Sequence, residues 1–333
     1  MKTKRKPFLS VAVLAIIMCM GFGISQNAYA AISEKEPNNT FAKAQKIALG
    51  KQYSGTVKNE NGDDEDCYRF QVKEGRFYKI TVTGIKDLSD YKWETMIVSL
   101  CKDSNTNDSN TVLNGKYQNT AKLFRASYTG TYYLRFWNTS NTRYNFSVSY
   151  YNPAGKKVKD SNSNTYKITN NYKAELSKVA SKRKTDFYFT TKLYVSSIAG
   201  MDVLDYYDEP FAVNAIGNYA FQGCGITNIS IPEEIKTIGV GAFQNCKKLG
   251  SKKYYTGVVI NGKKVVIKAK AFNGCKKLGS IRIPKKASIK SVAKNSFKGT
   301  KKKIRVEVPS VKKYKKIFKK AGFKKPKYSK SYY

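Results

Sequence analysis

The sequence predicts a mainly β protein, in which an antiparallel β-sandwich leads into a repeat solenoid closed by a short capping helix. Three observations carry this. First, between Ile32 and Tyr151 short alternating runs (YSGTV, CYRFQV, FYKITVTG, TMIVSLC, AKLFRA, TYYLRFWN, YNFSVSYY) are separated by Gly, Asn and Asp turns, the pattern of short strands in a sandwich. Second, one phrase recurs four times later in the chain: IGNYAFQGC, IGVGAFQNC, IKAKAFNGC and VAKNSFKGT, pivoting on Phe221, Phe243, Phe272 and Phe297. Steps of 22, 29 and 25 residues fall in the range of leucine-rich repeats, whose stacked coils share one core and present an extended surface. Third, Val311, Tyr314, Ile317, Phe318 and Ala321 line one helical stripe that Gly322 ends.

In chain order, MKTKRK, an apolar run to about Ile24 and the Ala28-Tyr29-Ala30 site predict a signal peptide over residues 1–30. No later stretch is apolar enough to span a bilayer, so no transmembrane anchor is expected after cleavage. The sandwich is assigned to 31–151, and the polar, turn-rich NPAGKKVKDSNSNT (152–165) reads as a linker. The repeat domain takes 166–333: an N-terminal cap over 166–214, repeats over 215–308, a capping helix over 309–322 and a basic tail over 323–333. Within the repeats, Ile229/Ile231, Ile281/Ile283 and Val306/Val308 alternate ahead of Pro232, Pro284 and Pro309, placing each pair inward on a short strand. Ile216, Ile238, Ile267 and Val292 stand four residues before Ala220, Ala242, Ala271 and Ser296, one helical turn. The 29-residue step reads as an insertion, VVINGKKVVI, with Asn261-Gly262 as a tight hairpin.

The formal net charge is +39 with no histidine. Without histidine there is no Ser-His-Asp or Cys-His nucleophile system and no His-ligated zinc. Carboxylate-only chemistry remains open. Residues 31–152 hold 17 Lys and Arg against 13 acids, residues 153–333 hold 41 against 10, and from Lys247 onward Glu307 is the only acid among 30 cations. Such a field attracts polyanions at long range and weakens with salt. Lysine greatly outnumbers arginine and no nucleic-acid motif is present, so no nucleic acid is expected as partner. Cys224, Cys246 and Cys275 share one repeat position and read as buried thiols. Cys67 and Cys101 are left open between a disulfide and free thiols.

The segments EKEPNNTFAKAQKIALGKQYSGTV, DDEDCYRFQV and GTYYLRFWN resemble the bacterial pre-peptidase C-terminal domain family over roughly residues 33–150. The resemblance implies a secreted β-sandwich, of the kind appended to extracellular proteases and related to collagen-binding domains. It also implies a calcium site at Glu34, Glu36, Asn38 and Asn39 together with Asp63 and Asp66. The residue types suit that ion, which takes six to eight oxygens, and the alternation of Glu34, Glu36 and Asn38 turns them to one side of an extended chain. The other reading is an Asn turn beside a solvated acidic loop. In the strand Tyr132-Tyr133-Leu134-Arg135-Phe136-Trp137, alternation sends one aromatic of each pair outward, either as an exposed stripe or under a covering loop.

The recurrence of Ala-Phe-x-x-Cys with Ile-x-Ile-Pro resembles the BspA-type leucine-rich repeats of bacterial surface proteins over roughly Ala215 to Phe323. That resemblance implies a surface or secreted adhesion protein without a catalytic residue set. One segment breaks the rhythm: MDVLDYYDEPF (201–211) places Asp202, Asp205, Asp208 and Glu209 in a basic domain; it reads as a solvated insertion before the first full repeat, contacting nearby lysines, with a second metal site or a carboxylate pair for glycoside chemistry as the alternatives. The expectation is a non-enzymatic, secreted or cell-surface binding protein that takes an extracellular protein or glycan, or an anionic cell-wall polymer. The alternatives are a collagen- or polysaccharide-binding accessory acting through the sandwich, and a carboxylate-dependent glycan hydrolase. The hydrolase requires two facing acids in a pocket, about 5–10 Å apart.

Overall fold

Each of the seven alternating runs falls on a strand of the computed structural model, which describes residues 30–58, 65–88, 96–103, 109–115, 118–138, 140–205, 209–251 and 256–331. Apart from Ala30, the segment 1–30 expected to be a signal peptide lies outside the described residues. One sandwich sheet runs Ile32–Ser33, Gln52–Val57, Thr142–Tyr151, Phe77–Asp87, Thr120–Arg125; the other runs Gln45–Lys46, Glu65–Val72, Gly130–Trp137, Met96–Cys101, Ser109–Gly115. Alternation sets the faces. In Glu65–Val72, Tyr68, Phe70 and Val72 are buried while Arg69 and Gln71 are exposed. The core is aromatic, with Phe136 stacked on Tyr144 at 4.1 Å and Phe124 on Tyr132 at 5.5 Å. Such pairs add to the area they bury.

Cys67 and Cys101 are free and buried. They sit on strands that flank Gly130–Trp137 on either side. Two strand spacings, about 9.5 Å, exceed the reach of a disulfide. Burial pushes the Cys67 thiol up to about 12 and the Cys224 thiol up to about 11. A thiol reagent at neutral pH is therefore expected to label none of the five cysteines of residues 31–333 in the native protein and all five in denaturant. Only three labelled in denaturant would mean that Cys67 and Cys101 are bridged.

The repeats form a β-solenoid. One sheet, of eight strands in all, stacks Lys173–Lys178, Phe211–Ile216, Thr237–Ile238, Val265–Ile267 and Ile289–Val292 in parallel; the shorter sheet, of five, stacks Ile229–Ile231, Val258–Ile260, Ser280–Arg282, Lys303–Val308 and Lys325–Lys330. The third side of each coil is a turn, not the expected helical turn. Its amides bond to the next coil: Phe221 N–H donates to Ala242 O (2.7 Å), Phe243 N–H to Ala271 O (2.7 Å) and Phe272 N–H to Ser296 O (2.6 Å). The four pivot rings lie in one row, with centroids 4.7, 4.9 and 4.8 Å apart and interplanar angles of 17°, 4° and 7°. Phe187 covers Phe221 at 4.8 Å and Phe323 covers Phe297 at 4.8 Å. The thiols join the ladder, Cys246 Sγ donating to Phe221 O (2.9 Å) and Cys275 Sγ to Phe243 O (3.1 Å). Gly239 is required by coil spacing, since a Cβ there would stand 2.6 Å from the Gly217 carbonyl carbon.

Four sequence expectations change. The VVINGKKVVI segment is no insertion. Its two VVI runs are the coil's regular strands in the two sheets, and Asn261-Gly262 turns the corner between them. The extra residues of that step fall between Phe243 and Val258, which are 15 apart where Phe221 and Ile229 are 8 apart. The segment 152–165 is not a linker: Lys157–Lys159 pairs with Thr165–Asn170, and Val158 and Asn164 are buried. The capping helix is confined to Val311–Ile317. The basic tail holds a strand, Lys325–Lys330, parallel to Lys303–Val308. Tail lysines alternate outward while Pro326 and Tyr328 turn in, so a strand pattern was hidden in the charge.

Candidate functional site

Three parts of the surface carry functional chemistry. The first is the acidic cluster at the N-terminal edge of the sandwich. Ile32–Ser33 pairs in parallel with Gln52–Val57, and Glu34 N–H continues the ladder to Ser54 O (2.9 Å). This carries the Glu34 side chain over the sheet end, where Oε1 accepts from Thr56 N–H (2.8 Å) and Oε2 from Tyr68 OH (3.3 Å). Asp66 is fully buried and accepts from Tyr144 OH at 2.5 Å, and the Tyr144 and Tyr68 hydroxyls are 2.8 Å apart. Carboxylate oxygens of Glu34, Glu36 and Asp66 lie within 4.8 Å of one another. The buried Asn38 amide stands 3.1 Å from Glu36 Oε2 and 3.0 Å from Asp66 Oδ1. With its nitrogen turned to them it donates to both. With its oxygen turned to them, the four groups make an all-oxygen cage. Burial holds the Glu34 carboxyl above its ordinary range, and the nearby Glu36 charge adds to this against the donors from Thr56 and Tyr68. Burial likewise pushes the Tyr68 and Tyr144 hydroxyls up.

Of the residues expected to hold calcium, Glu34, Glu36, Asn38 and Asp66 come together; Asn39 is half-buried next to Asn38, and Asp63 lies outside the described residues. The sequence reading missed the two tyrosines. Tyr68 was reachable, because it sits two residues from Asp66 on the same strand face. Tyr144 was not, since nothing local ties it to Asp66 across 78 residues. A cavity of 640 Å³ opens beside the cluster, and Glu34 is the only carboxylate among its described lining residues. Glycoside hydrolysis needs two carboxyls facing one cleft. Here Asp66 is sealed under Tyr144, so this geometry suits a cation better than a sugar.

The second part is the segment 201–211, which is not a solvated insertion but the joint between sandwich and solenoid. Met201–Val203 adds to the sandwich sheet, parallel to Thr120–Arg125. Asp202 pairs with Lys122 (2.5 Å); Asp205 pairs with Lys102 (3.1 Å) and accepts from Asn110 Nδ2 (2.7 Å). Arg125, 7% exposed, pairs with Glu209 (2.7 Å) and donates to the backbone oxygens of Asn171 (2.6 Å) and Glu209. Its guanidinium lies 5.7, 5.4 and 5.3 Å from the rings of Phe77, Tyr172 and Phe211, and Phe77 stacks on Phe211 at 5.7 Å. Burial lowers the Arg125 pKa, opposed by the Glu209 charge. Asp208 lies outside the described residues.

The third part is the solenoid surface. On the shorter sheet, Ser230, Val259, Arg282, Glu307 and Ser329 fall in register and face outward, with Arg282 paired to Glu307 at 2.6 Å. At its first strand a groove of 350 Å³ runs between Asp186–Phe189 and Asn228–Pro232, beside Tyr188, which is 90% exposed. On the sandwich, Tyr132 and Phe136 are buried. Tyr133 and Trp137 point out but are half-buried, with Phe41 edge-on to Tyr133 at 5.0 Å. The aromatic stripe is thus partly covered.

Among solved structures, the chain is similar to a leucine-rich repeat protein from Bacteroides capillosus (23% identity, 45% of this chain and 96% of that one, TM-score 0.33). It is also similar to the pre-peptidase C-terminal domain of a collagenase from Bacillus anthracis (22% identity, 35% and 100%, TM-score 0.26). A third similarity is to a leucine rich cell surface protein from Faecalibacterium prausnitzii (17% identity, 45% and 44%, TM-score 0.29). No curated protein matches. The family model described as BspA type Leucine rich repeat region matches residues 252–325 in six copies, and those residues are the lysine-rich coils stacked beneath the phenylalanine row.

Proposed function

We propose that this protein is a secreted or cell-surface binding protein: the open solenoid face provides recognition, and the basic coils hold anionic polymer. The observation that carries this reading is the solenoid itself, a continuous core under a long, solvent-facing, cationic surface. Repeat architectures of this shape bind along their length. The match to BspA type repeats supports it. Among the described residues no helix is long and apolar enough to cross a membrane. In this proposal retention on a wall rests on charge. Washing producer cells with concentrated salt is expected to release the protein; protein that stays bound through the wash removes the electrostatic part of the reading.

Calcium at the sandwich belongs to the same proposal. The donor set fits the ion: the carboxylates of Glu34, Glu36 and Asp66 are hard oxygen ligands within 4.8 Å of one another, and Asn38, which donates its amide nitrogen to Glu36 and Asp66 without a cation, would turn its oxygen inward to join them. Three acids packed this closely repel each other, and a divalent cation removes that repulsion. Calcium at about a hundred times its dissociation constant would add about 2.7 kcal/mol, roughly 4 °C of melting temperature in a chain of this size. Melting the full chain in calcium and in chelator measures it. Asp66→Asn should abolish the difference, and equal melting temperatures for the wild type would end the calcium proposal.

A further inference from the structure

Each of the later coils turns from the phenylalanine row into the shorter sheet through a Lys-Lys pair: Lys247-Lys248, Lys276-Lys277 and Lys301-Lys302. The ladders set their register. Asn245 N–H donates to Asn273 O, which aligns Lys247 with Lys276 and Lys248 with Lys277. Gly274 N–H donates to Lys298 O, and Lys301 N–H then donates to Leu278 O, so Lys301 lies against Gly279 just past Lys277; Lys303 opposite Lys325 brings Lys324 beneath Lys302. All seven are exposed. Among the described residues none pairs with an acid, and the single acid beyond Lys247, Glu307, is engaged with Arg282 on the sheet face. The stem of Lys301 lies across Gly279, whose missing side chain leaves room for it: a Cβ there would stand 3.1 Å from Lys301 Cδ. The result is a ridge of paired ammonium groups running along the solenoid axis, two per coil rise of about 4.8 Å.

We infer that this ridge is the docking line for a linear, densely sulfated glycan lying parallel to the solenoid axis, an inference that rests on the binding-protein reading above. Linear charge density selects the partner. A polyol-phosphate chain carries its charges singly, a whole polyol unit apart, and would leave most of the ridge unmatched. A sulfated polysaccharide bears several charges on each sugar pair and matches a ridge this dense. Lysine point charges suit scattered sulfate oxygens, whereas planar bidentate recognition would favour arginine. Among the described residues no aromatic ring stands between the lysine pairs on which bases could stack, which disfavours single-stranded nucleic acid.

The test compares two variants of equal net charge in the full chain, with heparin and poly(glycerol phosphate) as probes. One replaces the six ridge lysines by glutamine (K247Q, K248Q, K276Q, K277Q, K301Q, K302Q). The other replaces six equally exposed lysines elsewhere on the coils (K263Q, K264Q, K285Q, K286Q, K290Q, K294Q). The ridge variant is expected to lose heparin affinity by roughly 30-fold or more at physiological salt, with a shallower salt dependence; the second set should lose less than about 5-fold. A ridge variant with the same six lysines changed to arginine should bind as the wild type does, which separates lost charge from lost folding. Equal losses in the two glutamine variants would overturn the ridge while leaving a diffuse basic field standing. Wild-type binding to poly(glycerol phosphate) but not heparin would overturn the sulfated partner. Binding to neither probe would sink the electrostatic reading of function itself.

Discussion

Phe243→Ala is expected to destabilise the solenoid by about 4–5 kcal/mol, the upper part of the range for a buried aromatic. Phe243 is fully buried between two stacked rings, Phe221 at 4.7 Å and Phe272 at 4.9 Å. Its removal takes away the apolar transfer energy, opens a cavity that the rigid coil spacing cannot collapse, and ends two ring contacts at once. The backbone on either side is held by coil-to-coil amide bonds, Phe221 to Ala242 and Phe243 to Ala271, so relaxation into the void would break hydrogen bonds. Because each coil contacts only its neighbours, the damage should appear as lost hydrogen-exchange protection in the coils of Phe221 and Phe272 before the sandwich is affected. Phe243→Leu, which keeps most of the volume, should lose about 1–2 kcal/mol. Urea titration measures both. A Phe243→Ala protein within about 1 kcal/mol of the wild type would mean that the row is not the core.

Arg125→Ala is expected to lower stability by about 3 kcal/mol and to split a single unfolding transition into two. The guanidinium is buried, and it satisfies the Asn171 and Glu209 backbone oxygens as well as the Glu209 carboxylate. Removing one partner of a buried charged network leaves the others unpaired, typically at 3–5 kcal/mol. The lower end applies here because the Glu209 side chain is 36% exposed and regains water. The same residue also holds Phe77, Tyr172 and Phe211 together, so its loss loosens the packing through which residues 31–333 form one compact unit. The exposed Asp202–Lys122 pair at the same joint provides the contrast: its aspartate is 63% exposed, and Asp202→Ala should change stability by less than about 1 kcal/mol. Calorimetry decides between the outcomes. One sharp transition at the wild-type temperature in Arg125→Ala would remove Arg125 as the clamp.

Legibility in the sequence followed the range of the interactions. The Phe221–Phe297 row and the inward Ile229/Ile231, Ile281/Ile283 and Val306/Val308 pairs were readable, because stacking copies each coil's local pattern onto the next and the period reports the contact. That Glu34, Glu36 and Asp66 meet was readable too, though only with the resemblance to a known family. Short-range alternation could add Tyr68 but not Tyr144. The segments 152–165, 201–211 and 323–333 were misjudged for one reason. Their composition is that of solvated loops and tails, and what orders them is a partner strand: the next strand Thr165–Asn170 for the first, Thr120–Arg125 from the sandwich for the second, and Lys303–Val308 one coil back for the third.

Periodicity in the chain was enough to establish a β-sandwich, a lysine-studded solenoid and the rings at its centre, since each depends on residues a few positions or one coil apart. Folding alone settled that the acids of 201–211 clamp rather than float, that the basic end closes a sheet, and that the Lys-Lys pairs line up into a ridge. The first depends on strands that meet across a long separation, and the others on pairings one coil apart that the lysine-rich composition masks. Burial of Arg125 and the register of the coils are properties of that assembly, and no local run of residues encodes them.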